Sequence, residues 1–88
     1  MLGQVEDDTE KARAYAERGR LLYLRGDDTA AAADIMEAKR LNVGVLTGVH
    51  YAIIGLHEYV KGNYADSRDY FLKAARLSED GNSEYYEQ

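Results

Sequence analysis

The chain has 88 residues, a net charge of −5 and neither cysteine nor proline. That makes one domain near the small end of what folds alone, excludes disulfides and thiolate metal sites, and disfavours a nucleic-acid backbone or an anionic membrane as the main partner. Frequent Ala, Leu, Glu, Lys and Arg with no alternating β-branched runs predict an all-α fold. No apolar run reaches the roughly 20 residues of a membrane span, and the start MLGQVEDD lacks the basic flank and apolar run of a signal peptide. The expectation is a cytoplasmic protein without membrane insertion.

In chain order, residues 1–7 read as a flexible N-terminus, and Asp7, Asp8 and Thr9 offer cap oxygens to a first helix near 8–25. Asp7 with Glu10 has the spacing of a capping box. Tyr15, Leu22, Ala12 and Gly19 share its inward face. Gly26 stands where a left-handed C-terminal cap would sit. Asp27 and Asp28 then cap a helix near 28–42, thin on its alanine side and gripping through Ile35, Met36 and Leu41. The central stretch near 45–61, VLTGVHYAIIGLHEYVK, is apolar almost all round, which predicts burial on several sides. It closes at Lys61–Gly62. Asn63 caps a fourth helix near 64–78, with Tyr64, Tyr70, Phe71, Ala74 and Leu77 as candidate buried residues. A turn at Glu79–Asn82 then precedes a short helix at 83–88.

The two halves repeat at an offset of 36 residues: Tyr15 meets Tyr51, Gly19 meets Gly55, Tyr23 meets Tyr59, Gly26 meets Gly62 and Ala38 meets Ala74. Self-similarity at such a period is the mark of helical repeat arrays. The pattern Tyr15, Gly19, Leu22–Tyr23, Gly26, Ala31, Ile35, Ala38, echoed by Tyr51, Ile54–Gly55, Tyr59, Gly62, Tyr64, Ser67, Phe71, Ala74, resembles the tetratricopeptide repeat (TPR) family over roughly residues 12–80. Arg18 departs from the family's leucine, Asp28 from the turn aromatic, and Val43 and Glu79 from the closing proline. The resemblance implies a short right-handed α-solenoid of antiparallel helix–turn–helix repeats at 8–42 and 43–80. It casts 81–88 as a partial third repeat or a cap. Its packing positions here are Tyr15, Gly19, Gly26, Ala38, Tyr51, Gly55, Gly62, Phe71 and Ala74.

The resemblance further implies a concave groove lined by the first helix of each repeat, with Arg13, Arg20 and Tyr23 from one and Val49, Ile53, Leu56, Tyr59 and Val60 from the next. A carboxylate-gripping set of Lys, Asn and Arg is absent. The apolar lining suits an amphipathic helix or extended apolar peptide of a protein partner. The alternative is a structural unit whose groove is filled by another copy, since two repeats leave a flank exposed. That reading predicts a homo-oligomer, with a swapped helical hairpin as one route. Arg13 and Arg20 also have a plainer reading, as solvated groups or partners of Glu10 and Glu17. His50 and His57 lie seven apart, whereas helical zinc pairs prefer three or four. The tyrosines at repeat-equivalent positions read as packing rather than base stacking. Acidic pairs beside helix ends read as caps. No catalytic residue, metal or cofactor site is expected, and the chain reads as a non-enzymatic interaction module.

Overall fold

A computed structural model describes the backbone of residues 2–86 and the side chains of residues 7–78. The described chain is all-helical: α1 spans Leu2–Leu24, α2 Asp28–Asn42, α3 Gly48–Val60 and α4 Tyr64–Tyr86, with a 3₁₀ turn at Val43–Val45. The chain divides into two compact units, Met1–Leu46 and Thr47–Gln88.

Each unit is a helical hairpin closed by the same device. Leu22 and Tyr23 carbonyls accept from the Asp27 and Gly26 amides, at 2.9 Å each. The same pattern recurs at Glu58 and Tyr59, which accept from Asn63 at 2.9 Å and Gly62 at 3.0 Å. This pair of bonds satisfies orphan carbonyls at a helix C-terminus and needs a left-handed residue between them. Gly26 at φ 90° and Gly62 at φ 88° supply it. On the exit side, the Asp27 carboxylate accepts from the Ala30 amide at 3.4 Å, capping α2.

The helices of each hairpin run antiparallel and approach closely. In the first unit, Thr9 meets Asn42 and Arg18 meets Asp34. Ala12, Ala16 and Gly19 on α1 and Ala31, Ile35 and Ala38 on α2 are buried. A Cβ on Gly19 would stand 2.7 Å from Ile35 Cγ1 and 3.0 Å from the Ala31 carbonyl oxygen. In the second unit, Tyr51, Ile54 and Gly55 are buried on α3, with Ser67 on α4. A Cβ on Gly55 would stand 3.2 Å from the Phe71 ring, and the Ser67 hydroxyl donates to the Gly55 carbonyl at 2.8 Å. Burying an isoleucine of the Ile35 or Ile54 kind stabilises by about 1.5–3 kcal/mol.

Three expectations from sequence are corrected. The first concerns the start of the first helix, expected near residue 8: α1 already runs from Leu2. Between Leu2 and Thr9 there is no proline and only one glycine, Gly3, so the helix runs through: Asp7 and Asp8 lie inside α1 rather than at its cap, and Thr9 Oγ1 accepts from Asn42 Nδ2 at 2.9 Å. The second concerns α3, which begins at Gly48, not near 45. The Asn42 side chain accepts from the Gly44 amide at 3.0 Å and winds Val43–Val45 into the 3₁₀ turn. Leu46 and Thr47 then turn extended. The third concerns the turn at Glu79–Asn82, which is helical, as α4 continues to Tyr86. One glycine in a helix interior costs about 1 kcal/mol, too little to end a helix by itself. The last two residues of the expected helix at 83–88 lie outside the described residues.

Candidate interaction surface

The surface of α4 differs most from its expected role. Of the residues expected to be buried there, Tyr70 and Ala74 are half-buried, but Tyr64 is 63% exposed, and Phe71 and Leu77 are also exposed. Tyr64, Arg68, Phe71 and Leu72 recur at four, seven and eight residues, the spacing of one helix face. Across the Gly62 turn, Tyr59 closes on Tyr64 edge-to-face, ring centroids 5.3 Å apart. Tyr59, Tyr64, Ser67, Arg68, Phe71 and Leu72 together line a groove of about 380 Å³ whose surface is almost wholly apolar. Arg68 is the one charged side chain on its wall and forms no ion pair with the described residues.

The corresponding residues of the first unit differ in part. Ala31, Ala32 and Ile35, the counterparts of Ser67, Arg68 and Phe71, are all buried. Arg68 and Phe71 thus stand exposed where their counterparts are covered, whereas Ser67 is buried as Ala31 is, and Asp28 and Met36, the counterparts of Tyr64 and Leu72, are exposed as those two are.

A second, smaller cavity of about 200 Å³ lies on α1, lined by Lys11, Ala14, Tyr15 and Arg18. Here Arg18 has a structural role of its own. Arg18 Nε and one terminal guanidinium nitrogen donate to the two oxygens of buried Asp34, at 2.6 and 2.9 Å, and the guanidinium carbon sits 5.3 Å from the Tyr15 ring centroid. Hydrogen bonding to Asp34, with its charge, holds the Arg18 guanidinium above its ordinary pKa. The counterparts of Arg18 and Asp34 in the second unit are Ile54 and Tyr70. There Tyr51 stacks on Tyr70 at 6.3 Å, and Lys73 Nζ lies 5.3 Å from the Tyr51 ring centroid.

The residues expected to line a concave groove fall into different environments. In the first unit, Arg13 is exposed, Tyr23 is half-buried, and Arg20 pairs bidentately with Glu17 on its own helix. In the second unit, Val49, Leu56, Tyr59 and Val60 are exposed, with Val60 82% so. Ile53, expected as groove lining, is buried. Tyr59 alone of this set also lines the α3–α4 groove. The histidines have helix roles. His50 is buried at the third position of α3, and its Nδ1 accepts from the Thr47 amide at 2.9 Å, the task of the glutamate in a capping box. That bond needs an unprotonated Nδ1, so the neutral ring carries its proton on Nε2. Among the described residues no group of three or more His, Cys, Asp or Glu is arranged to hold a metal ion, and no helix is long and apolar enough to cross a membrane.

Sequence reasoning missed the Arg18–Asp34 pair, because partners 16 residues apart on two helices leave no local signal. It also missed Leu72 and Arg68 as surface residues. The stripe spacing of Tyr64, Arg68 and Leu72 was the available clue. Compared with known protein families, curated proteins and solved structures, the chain matches none.

Proposed function

We propose that the chain is a non-enzymatic protein-interaction module of the TPR type, two helix–turn–helix repeats stacked as a short right-handed solenoid, that binds an amphipathic helix or apolar peptide of a partner. What supports the repeat reading is the reuse, at an offset of 36 residues, of one cap geometry and one glycine approach. The observation that carries the binding reading is the aromatic groove between α3 and α4. Rings of Tyr59, Tyr64 and Phe71 offer large apolar area on side chains with few rotatable bonds, as interface anchors do.

The test is titration of isotope-labelled protein with an apolar-faced helical peptide, followed by amide chemical shifts. Shifts should centre on residues 59–72, and Leu72→Glu should abolish them. Shifts scattered over both units, or insensitive to Leu72→Glu, would count against the groove. A second reading, a self-assembling structural unit, draws on the exposed row Val49, Leu56 and Val60 of α3. Sedimentation at high micromolar concentration separates the two, because a monomer there removes the self-assembly reading.

A further inference from the structure

Resting on the groove reading above, we infer that the groove's occupant is a partner helix that carries carboxylates beside its apolar face, and that a second copy of this chain is disfavoured there by charge. The chemistry of the wall decides this. Its apolar slot accepts any hydrophobic side chain, so shape alone selects nothing. The one charged group, Arg68, is exposed, is unpaired among the described residues, and sits in the middle of the Tyr64–Leu72 stripe. An arginine at an apolar rim offers a planar fork that a carboxylate meets in two parallel hydrogen bonds.

The same group rejects the simplest homotypic matings. A two-fold pairing of the groove with itself whose axis crosses the middle of the stripe sets Arg68 near Arg68, because residues beside the axis meet their own copies. A head-to-tail pairing that seats the α1 cavity of one copy on the groove of the next brings Arg68 toward Lys11, the Arg18 charge there being already met by Asp34. Both arrangements oppose like charges in a partly dry setting, where charge pairs are screened less than in water. A partner helix with Glu or Asp one turn from its leucines meets none of this repulsion.

The test uses two synthetic helical peptides with the same apolar face, one flanked by Glu and one by Lys, titrated into the full chain by fluorescence anisotropy. The chain's net charge of −5 attracts the Lys peptide at long range. A preference for the Glu peptide therefore reports the local charge at Arg68 and not the global field. The Glu peptide should bind tighter by about two- to fivefold, the gap narrowing as salt rises, and Arg68→Glu should reverse the order. Equal affinities, or a preference untouched by Arg68→Glu, would overturn the carboxylate assignment and leave the groove standing. Failure of both peptides to bind would remove the groove reading itself, and the inference with it. An oligomer in sedimentation that Leu72→Glu dissolves would overturn the exclusion of a second copy. Arg68 is exposed, so an unchanged helical circular-dichroism spectrum is expected for the variant and checks that it folds.

Discussion

Gly19 and Gly55 occupy equivalent places in the two hairpins, yet replacing each by alanine should have opposite consequences. At Gly19 the new Cβ would lie 2.7 Å from Ile35 Cγ1 and 3.0 Å from the Ala31 carbonyl oxygen. Neither neighbour can yield cheaply. Ile35 is fully buried and β-branched, so its χ1 has essentially one well in a helix, and the carbonyl belongs to the α2 backbone. The helices must separate, at an overpacking cost near the upper part of the usual range of about 1–3 kcal/mol. Alanine returns about 1 kcal/mol of helix propensity. The net expectation is a loss of about 1–2 kcal/mol, or roughly 4–15 °C in melting temperature for a domain of this size. At Gly55 the nearest atoms to the new Cβ belong to the Phe71 ring, at 3.2–3.3 Å, and that ring is 36% exposed and free to give by tenths of an ångström. The propensity gain then dominates, and Gly55→Ala should be neutral or stabilising by up to about 1 kcal/mol. Urea unfolding followed by circular dichroism at 222 nm measures both. The reasoning is refuted if Gly19→Ala is as stable as the parent, or if Gly55→Ala costs as much as Gly19→Ala.

Other substitutions probe separate links of the argument. Ser67→Ala removes the buried hydroxyl donor to the Gly55 carbonyl and should cost about 1 kcal/mol in the same unfolding assay. His50→Ala deprives the Thr47 amide of its acceptor and should destabilise the start of α3 by on the order of 1–2 kcal/mol, read as faster amide exchange at residues 47–50. The hydrogen bond from Arg40 holds the Glu37 carboxyl below its ordinary value of 4.5, with burial opposing it and the charge of Arg40 adding a smaller pull in the same direction as the hydrogen bond. Because the folded value is the depressed one, the contact contributes fully above pH 4.5 and is lost as pH falls through the lowered value. Glu37→Gln should therefore flatten the acid limb of melting temperature against pH, slightly, since both groups are exposed, and leave the neutral plateau nearly unchanged.

Much of the helical framework was legible because its signals are local. Gly26, Asp27 and Gly62 mark turn and cap by conformational preference and short side-chain reach, and the structure places all three where that chemistry puts them. The α2 boundaries, 28–42, likewise follow from their flanking residues. Misreadings arose where one local preference competed with another. The Asp7–Glu10 spacing of a capping box also occurs by chance inside a helix, and the run Asp80, Gly81, Asn82 looks like a turn although α4 continues through it. The candidate surface was less legible. Hydrophobicity shows which residues seek cover but not which find it: Phe71 and Leu72 are as apolar as Ile35 and Ile54, yet only the isoleucines are buried. Arg18 looked like a departure from a packing position because its partner Asp34 is visible only once α1 and α2 lie side by side.

The paired glycine turns also bear on how quickly the chain reaches this state. In each unit the facing helices are joined by three residues, 25–27 and 61–63, so the contacts between them grow outward from the turn like a closing zipper. Little loop entropy stands in the way, and low contact order of this kind belongs to chains that fold in microseconds to milliseconds. The turns are then the natural nuclei, one per hairpin, built alike and able to form in either order. Temperature-jump relaxation of Gly26→Ala and Gly62→Ala should show slowed refolding with little change in unfolding rate. The opposite partition would mean that the helices dock before the turn is made.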